Sequence, residues 1–133
     1  MSIISVRAAL STKLNGMTPV LSTAWENVPF EPETGTPYQA AFVLPSLENP
    51  TMGDDYHRLI GIFQISLKYP LNAGTATAEA RAELIKTTFK RGTSMTSGAV
   101  TVIVEKTPEI SQGRAEDDRW VIPIKIRWFA SIN

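Results

Sequence analysis

The sequence has no cysteine, one histidine and no excess of charge of either sign. Without cysteine, its 133 residues form no disulfide and no zinc–thiolate site. This absence fits assembly in a reducing cytoplasm, or a protein that is stabilised by oligomerisation. The 13 basic residues are balanced by 13 acidic ones, whereas a protein that binds DNA through its phosphates needs an excess of positive charge. The balance therefore argues against a dedicated nucleic-acid binder.

Long apolar runs are missing as well. Segment 1–16 carries Arg7 and Lys13 within its apolar pattern, so it lacks the uninterrupted apolar stretch of a signal peptide. No apolar run elsewhere is long enough to cross a bilayer. We therefore expect no membrane partner.

The common sequence patterns of catalysis are also absent. A Ser-His-Asp or Cys-His arrangement must use His57, the single histidine, and no Gly-x-Ser-x-Gly pattern occurs. The glycines form neither a P-loop nor a Gly-x-Gly-x-x-Gly pattern. Asp54, Asp55 and His57 match neither a calcium loop nor a two-histidine zinc helix. We therefore predict no enzyme activity, no cofactor and no metal site.

Two segments, 2–16 and 72–92, carry apolar residues at helical spacing. These residues recur three or four positions apart, which places them on one face of each helix. The predicted faces are Ile3, Val6, Leu10 and Leu14 in the first segment, and Ala78, Ala82, Ile85 and Phe89 in the second. Each helix thus has one apolar side with which to cover a sheet.

In four further segments the side chains alternate between a more apolar and a less apolar face, as they do in a strand whose sheet has one covered face. These segments are 38–44, 58–69, 99–106 and 118–130. The alternation predicts shared faces for Tyr38, Ala40, Phe42 and Leu44; for Phe63, Ile65, Leu67 and Tyr69; for Val100, Val102 and Val104; and for Trp120, Ile122, Ile124, Ile126 and Trp128. The predicted fold class is α+β: a mainly antiparallel sheet of about four strands with two helices packed on one face. We expect residues 1–133 to form one domain.

Two details of this fold follow from the last segments. Pro123 cannot donate a hydrogen bond to a neighbouring strand, so it predicts an edge strand or a bulge. The link 107–118 is too long for a tight hairpin and too polar for a core, so we predict a protruding arm.

The proline segment (residues 23–38) combines aromatic side chains with Pro29, Pro32 and Pro37. Prolines exclude a helix and a central strand, and they reduce the entropy that is lost on ordering. We interpret the segment as a stiff brace that Trp25 and Phe30 anchor. Two interpretations remain open for these anchors: they cover the edge of their own sheet, or they contact a neighbouring subunit.

An ordered set of short motifs carries a family resemblance. Trp-Glu-Asn-x-x-Phe-x-Pro (25–32) precedes a strand that ends in Leu-Pro (44–45) and a Gly-x-Phe-Gln strand (61–64). Tyr-Pro (69–70) and a helix that ends in Phe-x-Arg-Gly (89–92) follow. Over residues 2–92 the sequence resembles the tail terminator, or tail completion, proteins of long-tailed bacteriophages, grouped with minor tail protein U. The C-terminal strands fit this family loosely.

The resemblance implies a structural role in the virion. Members of such a family form a hexameric ring at the head-proximal end of the tail tube. The ring stops tube polymerisation, offers a surface to head-completion proteins of the neck and lets double-stranded DNA pass through its lumen. The partners implied are further copies of the chain, the tail tube protein and the head-completion proteins. The implied location is the virion tail, after assembly in the host cytoplasm.

The ring model suggests candidate contact residues in three regions. The candidates for interfaces are Trp25, Phe30 and Pro32 in the proline segment, Asp54 and Asp55 in loop 45–57, and Gln112, Arg114, Glu116 and Asp117 in link 107–118. Lys125 and Arg127 are candidates for the lumen, with a solvated sheet face as the alternative. Plain solvated connections are the alternative for the two loops.

Two other functions remain compatible with the sequence. The first is a different head–tail joining or tube-like virion component, which would share the ring geometry but dock elsewhere. The second is a small monomeric enzyme or ligand-binding module. The position of the protein in the virion distinguishes the first, and the size of the purified protein distinguishes the second.

Overall fold

The structure is a computed structural model that describes residues 3–18, 20–45, 49–50, 57–72 and 74–132. Within these residues the chain forms two helices and nine strands. In chain order they are α1 (Ile3–Asn15), β1 (Thr23–Trp25), β2 (Tyr38–Pro45), β3 (Asn49–Pro50), β4 (His57–Pro70), α2 (Ala76–Thr88), β5 (Ser94–Ser97), β6 (Val100–Val104), β7 (Glu109–Ile110), β8 (Arg114–Glu116) and β9 (Arg119–Ile132). The predicted helices and long strands are therefore present.

The sheet is larger than predicted, and it is mixed. Its main strand order is β1-β2-β4-β9-β6-β5; β3 pairs with β4, and β7 and β8 pair with β9. The β1–β2 pair is parallel and the other pairs are antiparallel. The α+β class is confirmed, but the prediction of about four antiparallel strands is wrong, because short segments of the predicted loops join the sheet.

Both helices bury their apolar sides in one cluster on the same face of the sheet. The predicted helix faces are confirmed: Val6, Leu10 and Leu14, and likewise Ala78, Ala82, Ile85 and Phe89, are at most 2% exposed. The predicted strand residues Phe63, Ile65, Leu67, Ile122, Ile124, Ile126 and Trp128 are buried in the same cluster. Burial of these side chains from water is the main term that stabilises the fold.

The link between β6 and β9 does not protrude, so the prediction of an arm is wrong. It runs along the edge of β9 that faces away from β4, and pairs there twice, as β7 and as β8. A tight hairpin joins β8 to β9, since Glu116 pairs with Arg119 and Asp117 adopts a positive φ of 54° in the turn. Strands of two and three residues are too short to show a periodic pattern.

Pro123 lies in the central strand β9, so the expectation of an edge strand is wrong. Its carbonyl accepts a hydrogen bond from the Ser111 N–H at 2.9 Å. The N and O of one residue point to the same side of an antiparallel strand, so the proline nitrogen also faces this edge. The edge is discontinuous there, between β7 and β8. The β4–β9 ladder therefore loses no hydrogen bond to the proline.

Candidate interaction surfaces

One face of the sheet, here called the open face, lies opposite the helices. Tyr38, Ala40, Phe42 and Leu44 share this face, as the alternation predicted, whereas Gln39, Ala41 and Val43 point towards the helices. Phe42 and Leu44 are 37% and 46% exposed, so this face presents apolar side chains to solvent.

Lys125 and Arg127 lie on the open face and are exposed. The register places Gln64 of β4 and Glu109 of β7 on either side of Lys125. Glu109 also approaches Arg127, with 3.6 Å between its Oε1 and the arginine Nε. One carboxylate thus offsets part of the positive charge of this face.

The proline segment covers one end of the open face and is held there by Arg119. This arginine is 5% exposed, and its guanidinium donates hydrogen bonds to the carbonyls of Thr36 and of Glu33, the latter at 2.6 Å. Its Cζ lies 4.9 Å from the centre of the Tyr38 ring, and the Phe30 ring lies 5.0 Å from the same centre. Phe30 therefore has an intramolecular anchor, and its contact with a neighbouring subunit stays a prediction.

The Trp-Glu-Asn motif ends strand β1 and fastens it to helix α1. Trp25 is half-buried and packs against the core cluster. Glu26 Oε1 accepts hydrogen bonds from the Val43 N–H at 2.6 Å and from Arg7 Nη1 at 2.9 Å. Asn27 adopts a positive φ of 57°, and the Val28 N–H closes the turn onto the Trp25 carbonyl. The Glu26 carboxylate thus continues the β1–β2 pairing by one further hydrogen bond.

Glu26 makes the stability of the fold depend on pH. Partial burial raises the pKa of Glu26, but the hydrogen bonds from Arg7 and Val43 and the charge of Arg7 outweigh it, so the pKa lies below its ordinary value of 4.5. The stabilisation is therefore fully present above that value and is lost as the pH falls through the lowered pKa. We expect Glu26→Gln to cost about 1 kcal/mol at neutral pH, since both side chains are partly solvated.

Urea unfolding of the wild type and of Glu26→Gln across the acidic range tests this prediction. The difference in unfolding free energy should close as the pH falls. Glu31→Gln is the matched control, because Glu31 is an exposed glutamate of the same segment. A difference between wild type and Glu26→Gln that is independent of pH would contradict the proposed role of the carboxylate.

A groove, here called the α2 groove, separates helix α2 from residues 108–113. Its volume is about 520 Å³, and it is lined by Glu79, Ala82, Glu83, Lys86, Pro108, Ile110, Ser111, Gln112, Gly113, Trp120 and Ile122. The floor is apolar, since Ile110 and Trp120 pack against the core cluster. One wall carries the carboxylates of Glu79 and Glu83, which are both exposed. The groove can therefore accept an apolar side chain beside a positive charge.

The structure separates the predicted interface residues into distinct places. Trp25, Phe30 and Pro32 belong to the β1 side of the sheet, whereas Gln112 lines the α2 groove. Arg114 and Glu116 form an exposed ion pair at 3.2 Å, next to Asp117 in the hairpin turn. Asp54 and Asp55 lie outside the described residues. The role of Arg119 could not be predicted from the sequence, because its two hydrogen-bond partners are backbone carbonyls more than 80 residues away.

Among the described residues, no three His, Cys, Asp or Glu side chains come together in a way that could hold a metal ion. No helix in this part of the chain combines the length and the apolar character that a membrane span requires.

Comparison with known proteins identifies the family. The family model described as phage tail terminator protein matches residues 5–128. A solved structure is similar to this chain, with a TM-score of 0.78 and 27% identity over 100% of this chain and 96% of the other. A search of curated proteins found no match. The chain belongs to the phage tail terminator protein family, a family of structural tail components.

Proposed function

We propose that this protein forms a hexameric ring at the head-proximal end of a phage tail tube. The ring ends tube polymerisation, presents a surface to head-completion proteins and leaves a channel for DNA. The match of residues 5–128 to the tail terminator family carries this proposal. The likeness of the whole chain to a solved structure supports a conserved fold over the same length.

The geometry supports a head-to-tail ring. Such a ring needs two different surfaces on each copy, because a contact that repeats around an axis joins unlike patches. The α2 groove offers one such patch, and it lies on the helix side of the sheet, opposite the open face. With lateral contacts of this kind, the open face is free to turn towards the channel.

Because Lys125 and Arg127 lie on the open face, we propose that they line the channel. DNA that has to slide must not be held by many phosphate contacts, since each contact adds to affinity through counterion release. Glu109 offsets the charge of Arg127, and the apolar Phe42 and Leu44 make no phosphate contact. A face of this composition suits passage of DNA better than retention.

Tail length tests the termination role directly. Phage that lack this protein should assemble tails of excessive and variable length that carry no heads, and a supplied copy of the wild-type chain should restore normal particles. Electron microscopy of the assembled tails gives the length distribution. Tails of normal length joined to heads, in the absence of the protein, would refute the proposed function.

A further inference from the structure

Exposed charges of opposite sign are segregated around helix α2. Glu79 and Glu83 lie on the wall of the α2 groove, in the first half of the helix. Lys90 and Arg91 follow the end of the helix, and Lys106 lies on the neighbouring turn; all three are exposed. None of these five side chains has an ion pair or a hydrogen bond to another described residue. Their charges are available to a partner.

The three cations form one surface, here called the basic patch (Lys90, Arg91 and Lys106). Hydrogen bonds of 2.9 Å from the Gly92 N–H to the Val104 carbonyl, and from the Val104 N–H to the Thr93 carbonyl, hold the two turns together. Arg91 and Lys106 border one shallow depression. Glu105 borders it too, but this residue interacts within its own chain. The patch therefore keeps a positive excess.

We propose that the basic patch of one copy docks into the α2 groove of the next copy. This inference rests on the proposed ring and names its lateral contact. The occupant is argued from charge complementarity: three cations meet a groove whose two carboxylates outnumber its one cation, Lys86, and form no ion pair with another described residue. The aliphatic stems of lysine and arginine can cover the apolar floor of the groove while their charged ends reach Glu79 and Glu83.

The helix dipole alone does not account for this arrangement. Acidic residues near the start of a helix and basic residues near its end are common, because they offset the partial charges of the helix ends. Lys106 is not part of α2, and the groove is formed in half by residues 108–113. Reversal of the Lys106 charge therefore tests the contact without changing the charge distribution on the helix itself.

The first experiment reverses one charge on each surface. Glu83→Lys and Lys106→Glu should each weaken self-association about tenfold or more, since like charges then face each other across the contact. Circular dichroism should show both variants folded, because both positions are exposed. Lys13→Glu, the same charge change in the last turn of helix α1, is the matched control and should assemble as the wild type does. The readout is the particle mass in sedimentation, in solution and on tail tubes.

The second experiment mixes the two variants. The basic patch of Glu83→Lys copies still fits the acidic groove of Lys106→Glu copies, and the two reversed surfaces fit each other. An equimolar mixture should therefore assemble although neither variant does so alone, and raised salt should weaken all these contacts. Glu83→Gln and Lys106→Gln give a smaller loss and replace the reversals if either of those unfolds.

The outcomes separate this contact from the ring itself. Rings of wild-type size from both Glu83→Lys and Lys106→Glu would overturn the contact and leave the ring proposal intact. Loss of assembly without recovery in the mixture would also overturn it. A wild-type chain that stays monomeric both in solution and on tail tubes would overturn the proposed ring, and the contact with it.

Discussion

Replacement of Arg119 by alanine should destabilise the protein by about 2–3 kcal/mol. A hydrogen bond from a charged group contributes about 1.5–3 kcal/mol, and water that binds the two exposed carbonyls in the variant offsets part of the loss. Arg119 is buried and joins strand β9 to the proline segment through Glu33 and Thr36. The Tyr38 ring also loses the guanidinium that lies 4.9 Å from its centre. Urea unfolding measures the loss, and limited proteolysis should show earlier cleavage between residues 30 and 37.

Two matched variants test the reason for this effect. Arg119→Lys keeps the charge but not the planar fork that reaches two carbonyls, so it should recover only part of the stability. Arg114→Ala removes an arginine whose ion pair with Glu116 is exposed to solvent, and it should cost well under about 1 kcal/mol. Equal losses for Arg119→Ala and Arg114→Ala would contradict the anchoring role of Arg119.

Replacement of Gly61 by alanine should cost about 3 kcal/mol, at the upper end for an added methyl group in a packed core. A Cβ at this position would lie 2.6 Å from the Leu44 carbonyl oxygen and 2.7 Å from the Trp128 ring. Neither neighbour can move easily, since Leu44 is held in the β2–β4 ladder and Trp128 is 1% exposed. Thermal unfolding and the near-ultraviolet signal of tryptophan measure the effect.

Gly113→Ala is the comparison for Gly61→Ala. The three atoms nearest to a Cβ at Gly113 would all belong to the Trp120 ring, at 2.6–2.7 Å. Trp120 is only half-buried at the floor of the α2 groove, so its ring has room to shift. We expect a loss of about 1 kcal/mol, in the lower part of the range for added methyl groups. A larger loss for Gly113→Ala than for Gly61→Ala would contradict this account of the packing.

The periodic parts of the fold could be predicted from the sequence. Ile122, Ile124 and Ile126 alternate with less apolar residues, and the burial of Val6, Leu10 and Leu14 follows directly from helical spacing. The short strands β5, β7 and β8 could not be predicted, because two to four residues carry no period. These strands form by pairing with the edges of β6 and β9, and those edges exist only once the sheet has folded.

The candidate surfaces were predictable in part. The composition of the proline segment predicts a stiff brace, which stays a prediction, whereas the register of β9 confirms that Lys125 and Arg127 share one strand face. The contact of Glu26 with the Val43 N–H and the α2 groove were not predictable, since both join segments that are distant in sequence. Charge segregation around α2 is visible in the sequence, but its meaning depends on the groove beside it.

An electron-microscopy map of the junction between capsid and tail tests the central claim most directly. We predict one hexameric ring of this protein at the head-proximal end of the tube, with Lys125 and Arg127 turned towards the channel. The absence of the protein from that junction, or its presence along the tube or at the distal tip, would contradict the account.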